Sequence, residues 1–347
     1  MTQLQNTLRQ LRLSGLSQTL DVRLQEAAAG RLGHALSLAF AEAGWQVRAQ
    51  SRKDLPADLA SHPGVMLLRC DALDVAALKA AAQGAQVVVH ALNPPYDQWD
   101  RLALPLADAA IATARAASAL LMLPGNVYNF GREMPPVLTT ATPERGDTAK
   151  ARTRIELEAR IAASTGLDSL VVRAGDFFGG SDAGTWLDLA MATRLASGRL
   201  VYPGEMDAQH AWAYLPDLAQ AFVRLAGQRA QIRGARRVHF AGHAVDGHAM
   251  RRALSEVVGR ELKVQAFPWW LFRLAAPFKP VWREVLTMNY LWRRPHRLDD
   301  ASLRELIGPV PSTPLVEALR SALEAQRLMP ARTGLQTGSS ASSPSSA

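Results

Sequence analysis

Cys70 is the only cysteine of the chain. That excludes an intramolecular disulfide and any zinc site built from several thiolates, and it fits a reducing cytoplasm. Also missing is an uninterrupted apolar stretch of the roughly 20 residues that cross a bilayer, because Arg, Asp or Pro cuts the longest candidates within a few turns. No basic run with interleaved aromatics accompanies the net charge of +8. The arginines are scattered, so the charge reads as a solvated surface, and neither nucleic acid nor membrane is expected as a partner. His210 has no second histidine at i+4 and no carboxylate pair close in sequence, so no metal site is expected.

What is present is ample apolar material: 48% of 347 residues are hydrophobic, enough for one large α/β domain with an appended lobe or for two domains. From Ala27 to about Arg173, segments rich in Val and Leu alternate with Ala-rich stretches of helical period. This order is that of β-α-β units around a parallel sheet. Strands are predicted at Gln46–Gln50, Val65–Arg69, Gln86–His90, Ala119–Leu123 and Ser169–Arg173, with helices at Gly33–Ala43, Ala76–Ala82, Arg101–Ala117 and Ala151–Ser164. From Gly179 onward Trp186, Tyr202, Trp212, Trp269, Trp270, Trp282 and Trp292 are spread among helical patterns and prolines. A smaller lobe over the open end of the sheet would use them for packing or as a substrate wall.

The two ends are unlike the middle. Residues 1–18 are expected to form an N-terminal extension, and the first twenty residues carry two arginines and no acid, with Leu4, Leu8, Leu11 and Leu16 near helical spacing. A transit peptide or an unstructured extension matches that pattern, whereas a secretory signal would need a longer apolar core. Residues 331–347 are Ser-rich and are expected to be disordered. Between the ends, residues 19–178 are assigned to a nucleotide-binding domain and residues 179–330 to a mixed C-terminal lobe that partly returns to it.

Ala28-Ala29-Gly30-Arg31-Leu32-Gly33 opens an Ala-rich helix that ends at Gly44 and leads into Trp45-Gln46-Val47-Arg48-Ala49. Glycines at such a junction let the backbone approach a pyrophosphate, while the helix N-terminus presents N–H groups and partial positive charge. Gly30, Arg31, Leu32 and Gly33 are therefore cofactor-binding candidates. With the segments that follow, this loop resembles the NAD(P)-dependent epimerase/dehydratase family of atypical extended short-chain dehydrogenases, over Ala27 to Leu328. The family loop G-x-x-G-x-x-G maps onto Ala27, Gly30 and Gly33, so Ala27 replaces its first glycine. The resemblance implies a Rossmann-type doubly wound parallel sheet with a smaller C-terminal substrate lobe. It also implies that Arg52 meets the 2′-phosphate of NADP, no acid being present there to accept the ribose hydroxyl of NAD. NADP is thus expected over NAD. Asp71 and Ala72 correspond to the strand end that touches adenine, and Ala91, Leu92 and Asn93 to the turn that lines the cofactor.

Upstream of the loop the pattern breaks. A first strand buried on both faces should be an apolar run, but Leu20-Asp21-Val22-Arg23-Leu24-Gln25-Glu26 alternates apolar with polar or charged residues. Either the strand is distorted, or this segment is not the ancestral one, as a shifted reading frame or altered start would produce.

The catalytic segments depart as well. Redox members of the family use a Ser after one strand and Tyr-x-x-x-Lys on the next helix, where the lysine lowers the tyrosine pKa for proton exchange. Here Pro124-Gly125-Asn126-Val127-Tyr128 places proline at the serine position, leaving Asn126 as the nearest polar substitute. Lys150 overlays the tyrosine, Arg154 the lysine and Glu158 a following glutamate. Arg154 would still bind the nicotinamide ribose but cannot tune an absent phenol. Tyr128 and Asn126 are the catalytic candidates. Val172 to Gly179 resembles the family's R-P-x-x-x-Y-G turn, and His210 to Ala219 its v-y-V-x-D-v-A segment, which makes Asp217 a helix N-cap. Leu306 to Leu315 resembles its closing turn, ahead of a last helix from Val316 to Leu328. The expected function is an oxidoreductase or epimerase-like enzyme acting on a small molecule, with a non-catalytic NADP(H) sensor or partner-assisting protein as the alternative; a homodimer is compatible with either.

Overall fold

A computed structural model describes residues 30–94, 98–180, 184–277 and 280–329. The expectations for residues 1–18, for the strand at 20–26 and for the tail at 331–347 lie outside the described residues.

The first half follows the predicted alternation. Its elements are α1 (Arg31–Glu42), β1 (Val47–Ser51), α2 (Ala57–Ser61), β2 (Val65–Arg69), α3 (Val75–Ala81), β3 (Val87–Val89), α4 (Trp99–Ala117), β4 (Leu120–Gly125), β5 (Val137–Leu138), α5 (Ala149–Ala163) and β6 (Ser169–Arg173). β4 and β6 are buried at every position, as continuous apolar runs should be in a parallel sheet covered on both faces. Leu36, Ala39 and Phe40 recur on one side of α1, which packs them toward the sheet. Gly44, at φ 85°, turns the chain out of that helix, and Trp45 then meets Phe40 edge-on at 5.5 Å.

The second half comprises β7 (Asp176–Phe178), α6 (Trp186–Leu189), β8 (Arg199–Tyr202), β9 (His210–Tyr214), α7 (Leu215–Gly227), β10 (Ala235–His239), β11 (His243–Val245), α8 (Gly247–Val258), β12 (Lys263–Ala266), α9 (Trp269–Ala275), α10 (Pro280–Thr287), β13 (Arg297–Leu298), α11 (Ala301–Ile307) and α12 (Leu315–Ala325). Part of it returns to the main sheet: β10 pairs in parallel with β6, giving the order β10-β6-β4-β3. Phe222 and Leu225 of α7 join α1 on one face of that sheet, while Ile111 of α4 and Leu157 and Ile161 of α5 cover the other. β1 and β2 form a separate parallel pair, and β7, β9 and β11 make a small sheet of the lobe. The lobe's aromatics are chiefly packing. Trp212 and Trp292 are buried together with Tyr202, and Trp282 stacks near Phe272, whereas Trp270 is 58% exposed.

One expectation is corrected. Asp217 is not the N-cap of α7; that position is Tyr214, and Asp217 stands in the first turn behind Pro216. Its carboxylate instead accepts the Thr313 backbone N–H at 2.7 Å and the Thr313 hydroxyl at 2.8 Å. The aspartate thus ties α7 to the turn before α12, a contact spanning 96 positions that local capping rules do not register. Asp217→Ala should lower stability by about 2 kcal/mol, the scale for hydrogen bonds to a charged group. Thr313→Val, which keeps the backbone N–H donor, should lose roughly half as much in urea unfolding.

Candidate functional site

The residues nominated for a cofactor fall into two groups around the carboxyl ends of the parallel strands, where ligands bind in open α/β sheets. In the first, α1 opens at Gly30 with no side-chain cap and no acid in its first turn. Gly30 has φ −80° and ψ 152°, values open to any residue. Gly33, Ala72, Ala91 and Leu92 all line one cavity of about 410 Å³. Leu32 is half-buried against the main core. Arg52 lies just past β1, its guanidinium 3.7 Å from the Asp71 carboxylate beyond β2, with both side chains well exposed. Ser51 is buried, and its hydroxyl accepts the Lys53 N–H at 3.0 Å. The β1 end therefore carries a hydroxyl and two cations, with Asp71 paired to Arg52 and Asp54 of the same loop paired to Arg69.

The second group surrounds Trp99. Its indole N–H donates to the Asn93 side-chain oxygen at 3.1 Å, and the Arg154 guanidinium lies 5.9 Å from the ring centroid. Arg154 donates to the Pro124 carbonyl at 2.7 Å, so the backbone of the residue at the serine position anchors the residue at the lysine position. Burial lowers the Arg154 pKa, while the neighbouring Glu158 and Tyr128 oppose that shift. Asn126 turns its side-chain oxygen back to accept the Tyr128 N–H at 3.0 Å, shaping the turn that presents the half-buried tyrosine. Burial and Arg154 together bring nearby His90 down to about 4.

Lys150, at the tyrosine position, is only 3% exposed and forms an ion pair with Glu284 of α10. Burial pulls its pKa down, and Glu284 pulls it back up. This ammonium links the sheet domain to the lobe. A second pairing unseen in the sequence joins Asp176 of β7 to His210 of β9, 2.9 Å apart, with the histidine stacked on Trp292 at 4.3 Å and His296 edge-on at 4.7 Å. The signal that could have exposed it was the parallel pairing of β7 with β9, which sets Asp176 opposite Trp212. Among the described residues, no three His, Cys, Asp or Glu side chains converge to hold a metal ion. No described helix is long and apolar enough to cross a membrane.

Comparison with known proteins bears on the fold. Residues 27–114 match the model of the NmrA-like family, so the match begins where the irregular upstream segment ends. None of the curated protein sequences matches significantly. Among solved structures, UDP-glucose-4-epimerase from Stenotrophomonas maltophila, with NAD and formylated UDP-arabinopyranose bound, is 14% identical with a TM-score of 0.68, covering 86% of this chain and 96% of its own. The enzyme WbmH of Bordetella bronchiseptica, in complex with NAD+, is 17% identical with a TM-score of 0.67, covering 87% and 96%. The dTDP-glucose 4,6-dehydratase DesIV of Streptomyces venezuelae is 15% identical with a TM-score of 0.66, covering 86% and 95%. The resemblance read from the sequence is thereby borne out in the architecture: the chain has a Rossmann-type fold like that of these epimerase and dehydratase structures.

Proposed function

We propose that the chain binds a pyridine dinucleotide, NADP in preference to NAD, and that it does so without the serine and tyrosine proton relay of redox relatives. The observation that carries the binding reading is the uncapped, acid-free opening of α1 at Gly30, with Ala72, Ala91 and Leu92 following the ends of β2 and β3. Amides at a helix N-terminus suit a pyrophosphate. Gly30, Arg31, Leu32 and Gly33 would hold it, Arg52 the 2′-phosphate, Asp71 and Ala72 the adenine side, and Ala91, Leu92, Asn93 and Arg154 the nicotinamide side. The bound group would supply hydride exchange.

Two observations favour a non-catalytic, sensing or partner-assisting role. The group at the tyrosine position is a buried lysine ion-paired with Glu284, and the serine position offers only a carbonyl that Arg154 already occupies. The second reading, an oxidoreductase or epimerase-like enzyme acting on a small molecule, rests on Tyr128. Its phenol lies close enough to interact with the Arg154 charge. Asn126 contributes to that reading by holding the tyrosine's turn.

Arg52→Ala should weaken NADPH binding roughly tenfold to a hundredfold, the scale of charge-assisted contacts, and leave NADH almost unchanged in a fluorescence titration. Equal losses for both cofactors would remove the NADP preference. If bound NADPH is oxidised by any carbonyl compound or nucleotide sugar in a broad panel, and Tyr128→Phe abolishes that turnover, the enzymatic reading replaces the sensing one.

A further inference from the structure

Lys150, Arg154 and Glu158 recur at intervals of four on α5 and form one charged stripe along the helix. Glu158 and Arg154 are held from within the sheet domain. Glu158 pairs with Arg173 at the end of β6, and Arg154 donates to the Pro124 carbonyl in β4. Lys150 is held from the other side: its ion-pair partner Glu284 belongs to α10 of the lobe, 134 positions away. This contact joins the two halves of the molecule one helical turn from the group formed by Arg154, Trp99 and Asn93.

The two partners differ in their access to water. The Lys150 side chain is 3% exposed and that of Glu284 30%. Burial works against the charged form of Lys150, while Glu284 and then Asp100 of α4 favour it. Glu284 regains hydration by rotating about its own side-chain bonds, whereas Lys150 stays inside. The helix α10 does not have to move with the glutamate, because Trp282 and Val285 hold it in an apolar cluster with Phe267 and Phe272. The group free to leave is therefore the carboxylate. It leaves behind a buried ammonium in the first turn of a 15-residue helix, where the helix amides add positive potential. Another carboxylate that makes the same charge-assisted hydrogen bond meets the same surroundings.

We propose that the Lys150 ammonium is a binding site for the carboxylate of a small acidic ligand, and that Glu284 fills this site until the ligand arrives. The inference rests on the functional reading above only in taking the Asn93, Trp99 and Arg154 side as the ligand side of the cleft. Exchange of one carboxylate for another leaves the ammonium charged and paired in both states, so no proton is taken up or released. Glu284 competes as an intramolecular ligand at an effective concentration on the order of millimolar. That competition lowers the apparent affinity of a free carboxylate, and removing the Glu284 charge raises it. A neutral molecule of the same shape cannot displace Glu284, because it forms only the weaker, uncharged hydrogen bond.

The test compares acetate with acetamide, alike in shape and different in charge, on the full chain without nucleotide, so its failure leaves dinucleotide binding untouched. In protein carrying lysine labelled with carbon-13 at Cε, acetate should move the Lys150 resonance saturably, while acetamide and sodium chloride of equal ionic strength should not. Glu284→Gln keeps an amide oxygen for the ammonium but removes the competing charge, and it should tighten acetate binding about tenfold. Acetate should also raise the melting temperature of Glu284→Gln, and the double variant Lys150→Met, Glu284→Gln should lose that rise. An ion pair with a structural role alone gives no selective response to acetate. The proposal is overturned if acetate moves the Lys150 resonance no more than chloride does in both the natural chain and Glu284→Gln, or if the rise in melting temperature persists in the double variant. Where Glu284→Gln fails to fold, the resonance in the natural chain decides alone.

Discussion

Between pH 7 and pH 5 the protein is expected to lose about 6 kcal/mol of stability, read as a fall in the urea unfolding midpoint. The loss originates in three buried histidines, His90, His239 and His296, each drawn down to about 4 from the ordinary 6.5, chiefly by burial. Arg154, Arg173 and His210 add repulsion toward His90, His239 and His296 respectively. Each ring is at most 5% exposed, so water does little to relieve the penalty. Below the unfolded value the unfolded chain takes up protons that the folded chain refuses until near pH 4, so stability is full above pH 6.5 and declines as pH falls toward 4. At pH 5 one such ring costs about 2 kcal/mol and three cost about 6, a large share of the 5–15 kcal/mol typical of a folded domain. His239 and His296 also hold carbonyls, of Leu138 at 3.1 Å and Arg294 at 2.9 Å, contacts that the neutral Nδ1–H tautomer already makes and that do not require a second proton. A midpoint unchanged from pH 7 to pH 5 would mean that these rings are hydrated and titrate normally.

The framework of the sheet was legible because it is written locally. Val65–Arg69 and Ser169–Arg173 are strands with the bounds that the sequence predicts, since each is a short apolar run between turn signals. The helices differ by a residue or two at their ends, where fraying and capping decide the limit. What escaped reading was long-range. Asp217 looked like a cap because capping is a local pattern, while its partner Thr313 lies in another element. Lys150 and Glu284 are 134 positions apart, and nothing near either residue announces the other. The residues nominated for a cofactor lie closer together than those nominated for catalysis for the same reason. Gly33, Ala72, Ala91 and Leu92 follow successive parallel elements, so chain order alone brings them to one end of the sheet. The pairing of Asp176 with His210, by contrast, depends on a lobe strand returning beside β7.

Replacing Arg173 by methionine should cost about 3–5 kcal/mol, the range for leaving a buried charge without its partner. Arg173 ends β6 and is 1% exposed, with its guanidinium paired to Glu158 of α5 at 2.6 Å and to Glu144. Glu158 is wholly buried, so it cannot turn to water when the arginine is removed; Arg237, at 3.6 Å, and the neighbouring Arg154 are cations left to it. Methionine fills much of the volume, which isolates the electrostatic loss from a packing loss. The double variant Arg173→Met, Glu158→Leu removes both buried charges and should recover most of the stability, because an apolar pair of similar volume is often as good as a buried ion pair. The arginine also lies over the Phe130 ring at 5.1 Å, behind the turn that carries Asn126 and Tyr128. The single variant should therefore loosen that turn and weaken the interaction between Tyr128 and Arg154. It should also let His239 take a proton at higher pH, since Arg173 is one of the charges that hold the ring neutral. A loss below 1 kcal/mol, with the His239 titration unmoved, would show that other cations serve Glu144 and Glu158 and that Arg173 does not brace the turn.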